Sequence, residues 1–413
     1  MLRERMNDSL LLKFKTCSRN LKTPNTNSSI FMALRGIKVI ELSGLAPAPF
    51  CGMVLSDFGA SVLRIDRPQT QLDIDTLARG KKSAAINIKQ PEGVKILKQL
   101  CSRADVLIEP YRRGVMEKLG LGPDILLKDN AQLIYARLSG YGHTGQYSSK
   151  GGHDINYLAI SGILSMLGNA NSNPIPPLNL LGDFCGGGLM CALGICLALY
   201  VRTQTGEGQV VDASMVEGST YLGSWLWTSR SIKSLPLWTQ PRGKNMLDGG
   251  APFYNTYSTQ DGKYMAVGSI EPKFYSELLK GLDLKEEDCP QFNNWPETHK
   301  KFIRIFATKT QEEWCQIFNK LDACVTPVLS LQEASSYAHN CSLETFMKDS
   351  VQQMSIPRPA PKLSKSPSIP SLIQPIIGQH SEEVLLELGY TREEISELVK
   401  KAVVEISGTK SKL

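Results

Sequence analysis

The sequence predicts an α/β protein, with a large domain built on a parallel sheet and a smaller α+β domain after it. Three observations carry this. Apolar runs of strand length alternate with helical patterns from Ile37 to Ser214, as βαβ units do. The character changes after about Trp227, where residues 229–250 are rich in Ser, Pro, Gly and basic side chains. Beyond them, two short apolar runs flank "STQDG" (258–262), a hairpin signal, and helical patterns follow.

Taken in order, residues 37–42 read as a buried strand, 47–58 as a helix and 61–66 as the next strand. Strands follow at 84–88 and 105–109, with a helix near 92–101 between them, then a strand at 132–138. Residues 154–167 and 186–201 read as helices and 209–214 as a strand. The hairpin strands are 253–257 and 263–267, followed by helices at 271–282, 295–308 and 311–321. Residues 357–375, rich in Pro and Ser, read as a segment lying over a surface. A last helix starts at Thr391, with Glu394 three residues on, a capping box. The expected division is 1–31, an N-terminal extension; 32–228, the large domain; 229–335, a linker and the small domain; and 336–413, a return segment ending in helices and a tail. No internal repeat is visible.

The chain has 413 residues, 42% hydrophobic and 21% charged, with a net charge of +6. That is a globular composition. Residues 1–31 hold six Lys/Arg (Arg3, Arg5, Lys13, Lys15, Arg19, Lys22) against Glu4 and Asp8, so the body is nearly neutral and unlike a nucleic-acid binder. The ten cysteines form no CxxC pair and no zinc spacing. Cys185, Cys191 and Cys196 lie in apolar surroundings and read as reduced core thiols. The most apolar stretch, 189–201, is too short for a membrane span and reads as a buried helix. Residues 1–31 are basic and acid-poor, weakly transit-like, and Met32 offers a second start. The closing "SKL" (Ser411, Lys412, Leu413) is the peroxisomal signal.

Two titratable stretches draw attention. "GGHDINYLAI" (151–160) places His153 and Asp154 after a strand and a Gly-rich loop. Structurally, Asp154 could cap the helix, with His153 a polar entry residue. Ligands, however, collect beyond the carboxyl ends of strands in open α/β sheets, where a loop-borne imidazole can act as a base. "PPLNLLGDFCGGG" (176–188) places Asp183 before three glycines that lead into the apolar helix. Asp183 taken alone reads as a cap, yet the glycines permit close approach and Asn179 is within reach of the carboxylate. Basic clusters occur in "LRIDRP" (Arg64, Arg67), "ARGKKS" (78–83) and "EPYRRGVMEKLG" (Arg112, Arg113, Lys118), and would suit a phosphate-rich nucleotide. No GxGxxG, GxxxxGK[ST] or GxSxG is present, so no dinucleotide fingerprint, P-loop or nucleophile elbow is supported.

Longer stretches carry a resemblance. "MALRGIKVIELSGLAPAPFCGMVLSDFGASVLRIDRP", "GHDINYLAISG", "NLLGDFCGGGLMCALGICLALY", "GQVVDASMVEG" and "NMLDGGAPFYNTYSTQDGKYMAVGSIEPKFY" are similar to the α-methylacyl-CoA racemases of the family III CoA-transferase superfamily, from about Met32 to the C-terminus. The resemblance implies a Rossmann-like large domain and a homodimer whose chains interlock, with active sites where domains of different subunits meet. It implies that His153 and Asp183 are the acid/base pair, that Asn179 orients Asp183 and that Glu271 sits beside His153. It places the phosphorylated adenosine of CoA against Arg67 and the Ala85, Ile86, Asn87 and Ile88 strand. Tyr111, Arg112 and Lys118 would lie along the pantetheine and phosphate path. Gly152 to Tyr157, with Asp154 and Asn156 between them, would line the thioester.

The implied activity interconverts (2R)- and (2S)-2-methylacyl-CoA thioesters in branched-chain fatty acid and bile acid metabolism. Racemisation requires removing the α-proton on one face and returning one on the other, which suits two groups sharing a proton. The enolate oxygen would be met by the helix N-terminus at Asp154. No cofactor and no metal are expected, CoA being part of the substrate. A CoA transferase would instead use Asp183 as nucleophile. The histidine at 153 favours racemisation, since the transferases lack it there. A silent acyl-CoA binder is the third reading. "KNMLDGGAPFY" (244–254) could line an adaptable acyl surface, although a core role suits Met246 equally. The expected partners are the acyl-CoA, a second copy and the peroxisomal import receptor, without nucleic acid. The expected location is the peroxisome, with a mitochondrial share through residues 1–31.

Overall fold

The computed structural model describes residues 31–408 apart from 71, 233–236 and 350–353. The N-terminal extension, apart from Phe31, and the SKL tail therefore lie outside the described residues.

The large sheet contains β1 (Lys38–Leu42), β2 (Ser61–Asp66), β3 (Lys82–Ile86), β4 (Val106–Glu109), β5 (Ile134–Ser139) and β6 (Val210–Ser214). Their spatial order is β3-β2-β1-β4-β5-β6, all parallel. This is the Rossmann arrangement, and strand order reverses between β1 and β4. β1 to β5 are largely buried on both faces, which is why several read as unbroken apolar runs, whereas the edge strand β6 is mostly exposed or half-buried. Successive residues serve opposite cores. Ile40, Leu42 and Leu107 pack with Ile96, Leu97 and Leu100 of helix Pro91–Cys101, whereas Val39, Val106 and Ile108 pack with Ala48, Cys51 and Leu55 of helix Pro47–Asp57.

The second unit is a three-stranded antiparallel sheet of β7 (Tyr254–Ser258), β8 (Tyr264–Gly268) and β9 (Val325–Pro327). It has a separate aromatic core that includes Phe253, Tyr257, Tyr275, Phe302, Phe306 and Trp314. A two-stranded ribbon, β10 (Phe346–Lys348) with β11 (Ser355–Pro357), follows. Helix Arg392–Lys400 opens on the expected box, with Thr391 Oγ1 accepting from Glu394 N and Glu394 Oε2 from Thr391 N. The chain then adds β12 (Val404–Glu405) antiparallel to β3, on the edge of the first sheet.

Several elements differ from expectation. β3 is Lys82–Ile86 rather than 84–88, so Asn87 and Ile88 follow the strand. Lys82 and Ser83 hid its start, because they read as polar loop. The helix at 154 stops at Ser161, where Gly162 turns left-handed (φ 82°) before a 3₁₀ turn, Ile163–Met166. The apolar helix begins six residues early, as a π-helix over Leu180–Leu189 that continues as helix Met190–Thr205. The glycines do not break it. They let other backbone in: a Cβ on Gly186 would lie 2.5 Å from Ser219 Oγ, one on Gly188 would lie 2.6 Å from Pro47 O, and one on Gly218 would collide with Gly186 O.

Gly218→Ala is therefore expected to lower stability by about 1–3 kcal/mol through overpacking, read as a lower urea midpoint. An unchanged midpoint would show that the two helices can move apart freely.

By length and composition this 26-residue helix, Leu180–Thr205, could cross a membrane. It packs one face into the domain, with Cys191, Ala192, Ile195 and Ala198 buried. The opposite face exposes Leu189, Leu193, Leu197 and Tyr200. The expectation of a short, buried helix is corrected on both counts. Cys196 is exposed and Cys185 half-buried, so of the three thiols assigned to the core only Cys191 belongs there.

Candidate active site

Where strand order reverses, the loops after β1 and β4 splay apart and leave a crevice at the carboxyl edge of the sheet. A cavity of about 350 Å³ occupies it. Gly44 and Pro110 form part of its wall; a Cβ on Gly44 would lie 2.7 Å from Pro110 Cγ. Tyr111, Arg112, Gly152, His153, Tyr157 and Asp183 also line it. The structure thus brings together six of the residues singled out by sequence.

His153 is exposed and sits in extended backbone (φ −133°, ψ 174°) as the N-cap of helix Asp154–Ser161. Its amide donates to Asn156 Oδ1 at 3.1 Å, which fixes the turn. The Asp154 and Ile155 amides have no backbone acceptor among the described residues, as expected in a first helical turn. Tyr157 OH donates to Gly152 O, and its ring packs edge-on to Tyr141 at 5.1 Å. Gly140 and Gly152 lack side chains because a Cβ on either would strike the Tyr157 ring. Burial, followed by the Asp183 charge, pushes the Tyr157 phenol up to about 12, so it remains a donor.

Asp183 is half-buried in the first turn of the π-helix, not at its cap. Asp154 does not cap its own helix either. Its Oδ2 accepts from the amides of Gly182 (2.6 Å) and Asp183 (2.8 Å). Burial first, and then the Asp154 charge, raise the Asp183 carboxyl above the usual carboxylate range, while a hydrogen bond with Asn179 and the His153 charge oppose them. Asn179 stands at the π-helix N-cap, preceded by Leu178 in a left-handed conformation (φ 58°).

The remaining sequence candidates lie elsewhere. Arg67 is exposed just beyond β2, at the same carboxyl edge as the crevice. Ala85 and Ile86 are buried within β3, with β12 on their outer side and Ser381 Oγ accepting from Ala85 N. Asn87 donates its amide to Val403 O, and Ile88 packs partly on the core. Lys118 ends the short helix Val115–Lys118 and is exposed. Glu271 is the exposed N-cap of helix Pro272–Gly281 in the second unit and is not part of the crevice wall. A larger hollow of about 990 Å³ lies in that unit, lined by Lys244, Asn245, Met246, Trp295 and His299 among others. It contains neither His153 nor Asp183, which both line the smaller crevice.

The basic clusters are largely committed to internal pairs. Arg64 is buried and binds Asp66 (2.8 Å), Asp75 (2.8 Å) and Asp73 (3.0 Å). Arg79 holds Asp57, and Lys81 holds Glu41. The reading of Arg64 and the "ARGKKS" stretch as nucleotide-facing charge is thus corrected. Arg137, which sequence reasoning passed over, bridges Glu109 and Glu117 at 2.9 Å each. Glu109 Oε2 accepts the Tyr111 amide, anchoring the crevice wall, and burial pushes Glu109 up to about 7. Among the described residues no cluster of three His, Cys, Asp or Glu is placed to hold a metal.

A sequence model described as CoA-transferase family III matches residues 34–381. The chain belongs to that family. This family III chain is 56% identical over 386 residues to the α-methylacyl-CoA racemase of Homo sapiens, a match covering 92% of this chain and all of that protein. It is 28% identical over 412 residues to the human succinyl-CoA:glutarate CoA-transferase, covering 92% of each. Among solved structures, a CAIB/BAIF family protein from Brucella suis matches with a TM-score of 0.73 at 21% identity, covering 87% of this chain and all of that one, a likeness of fold.

Proposed function

We propose that this protein is an α-methylacyl-CoA racemase acting on 2-methylacyl-CoA thioesters. The observation that carries the reading is that His153 and Asp183, brought from two helix starts, line one crevice at the switch point. The extent of similarity to the human racemase supports it.

In this reading neutral His153 removes the α-proton of the S thioester. The C–H electrons pass into the enolate, whose oxygen is met by the free amides at the N-terminus of helix Asp154–Ser161. Protonated Asp183 then delivers a proton to the opposite face, and the R thioester reverses the roles. A carboxyl held above its ordinary range is suited to carrying that proton nearer neutrality. Tyr111 and Arg112 line the path for pantetheine and phosphate. Arg67 and the end of β3 meet the adenosine, and Lys118 supplies further positive charge. The reaction draws on no cofactor and no metal.

A second copy completes the site by bringing its Glu271 to His153. Supporting this is the apolar stripe of Leu189, Leu193, Leu197 and Tyr200, with Trp225 and Trp227 also exposed. Sedimentation is expected to report twice the 45.5 kDa chain mass. We further propose a peroxisomal location, supported by the "SKL" motif (411–413), with a mitochondrial share through the basic residues 1–31. A cytosolic pattern of tagged forms starting at Met1 and Met32, with free C-termini, would refute that assignment.

The functional test uses a single-enantiomer 2-methylacyl-CoA in D₂O. Deuterium uptake at the α-carbon with loss of enantiomeric purity is expected. Absence of exchange, together with formation of a new acyl-CoA on adding carboxylic acids, would make the protein a transferase with Asp183 as nucleophile. Inactivity in both assays would leave an acyl-CoA binder.

A further inference from the structure

We propose that the Asp154 side chain is a positioning residue for the proton-exchange pair, a buried carboxylate that fixes the turn bearing Asp183 and places a negative charge beside it. The inference rests on the racemase reading above.

Asp154 follows His153 in the chain and is 3% exposed. Its Oδ2 receives both the Gly182 amide, at 2.6 Å, and the Asp183 amide, at 2.8 Å. The two catalytic residues are therefore joined through one residue: His153 by a peptide bond to its backbone, Asp183 by an N–H to its side chain. Gly182 makes this contact possible, since a Cβ there would lie 2.7 Å from the same oxygen and 3.1 Å from Asp154 O. The turn that carries Asp183 cannot shift without straining the turn that carries His153.

Capping alone does not call for a charge. Asn, Ser or Thr would accept the same amides without the cost of burying a carboxylate. Asp154 Oδ1 is also buried, and it has no hydrogen-bond partner among the described residues. The charge thus stands largely unneutralised beside Asp183. It acts in the same direction as burial on the Asp183 carboxyl, against Asn179 and His153. The other titratable groups facing the pair are Tyr157, from the same helix as Asp154, Tyr141 packed on it, and Tyr111, Arg112 and Lys150 in the crevice wall.

The test compares full-length protein with Asp154→Asn and Gly182→Ala, using α-proton exchange in D₂O, kcat and KM across pH, and thermal unfolding. Asp154→Asn keeps an oxygen acceptor and loses the charge. Its kcat is expected to fall about 10-fold with little change in KM. Without the neighbouring charge Asp183 gives up its proton more readily, so the acid limb of the kcat/KM profile moves to lower pH. Gly182→Ala keeps the charge and displaces the contact, and is expected to lower kcat on the order of 10- to 100-fold. An Asp154→Asn protein with wild-type kcat and an unmoved acid limb would overturn the proposal. Should that variant fail to fold, wild-type kcat in Gly182→Ala would overturn it instead. Absence of exchange in the unsubstituted protein overturns the racemase reading, and this inference with it.

Discussion

Replacing His153 by alanine is expected to lower α-proton exchange and racemisation by about 10²–10⁴-fold, the usual contribution of one positioned acid or base. The side chain is exposed at the crevice mouth and belongs to neither core. The melting temperature should therefore hold, and the loss can be read as chemistry. The loss should appear with both enantiomers, because each direction needs one partner to take a proton and the other to give one. Exchange from both enantiomers at the wild-type rate would remove His153 from the mechanism. The result also separates the two family III chemistries: a transferase acting through an Asp183 anhydride would retain acyl transfer in this variant.

The largest effect on stability is expected from Lys81→Met. Lys81 Nζ donates to both Glu41 oxygens, at 2.9 and 2.8 Å, and to Pro49 O at 2.9 Å. Both side chains are fully buried. Methionine fills the stem but leaves a buried carboxylate without its cation, which costs about 3–5 kcal/mol. The loss should depend on pH. Burial already pushes Glu41 up to about 7 with Lys81 in place, and removing that cation moves it further up. A folded value above the unfolded one gives stability that is present below the ordinary value near 4.5 and lost as pH rises through the folded value. Urea unfolding should therefore show Lys81→Met close to wild type at about pH 4.5 and much weaker at about pH 8. Equal losses at both would mean that Glu41 does not carry the effect. Glu41 precedes the last residue of β1, and a Cβ on Gly52 would collide with its Oε2. This pair therefore seats helix Pro47–Asp57 beneath the crevice.

Much of this was legible in the sequence. β2 has the bounds its apolar run predicts, and β1 and β4 come within a residue of expectation, since strands buried on both faces leave a dense apolar signal. The His153 and Asp183 stretches were legible because titratable residues interrupt glycine-rich, apolar surroundings. Arg64, Arg79 and Lys81 misled, because a basic residue in or beside a strand has the same letter whether it faces solvent or a buried carboxylate 22 or 40 residues away, or only two along the chain. The π-helix was hidden by its glycines, which suggest a break until Ser219 and Pro47 are seen against them. β12, with two residues, has no periodicity to detect. The role of Asp154 was invisible for another reason: its partners are backbone amides, which every residue but proline possesses.

The edge pairing of β12 with β3 has a consequence for biosynthesis. The β3 strand emerges from the ribosome more than 300 residues before the segment that covers it. At about 5–20 residues per second, that edge stands open for roughly 15–60 s. During this interval the growing chain presents unpaired backbone donors and acceptors of the kind that recruit foreign strands. The second unit can assemble meanwhile on its local contacts, but the Rossmann sheet is finished only when the final stretch of polypeptide returns. Synthesis cut short between the crevice residues and β12 would thus yield a chain that carries His153 and Asp183 yet is left prone to aggregate.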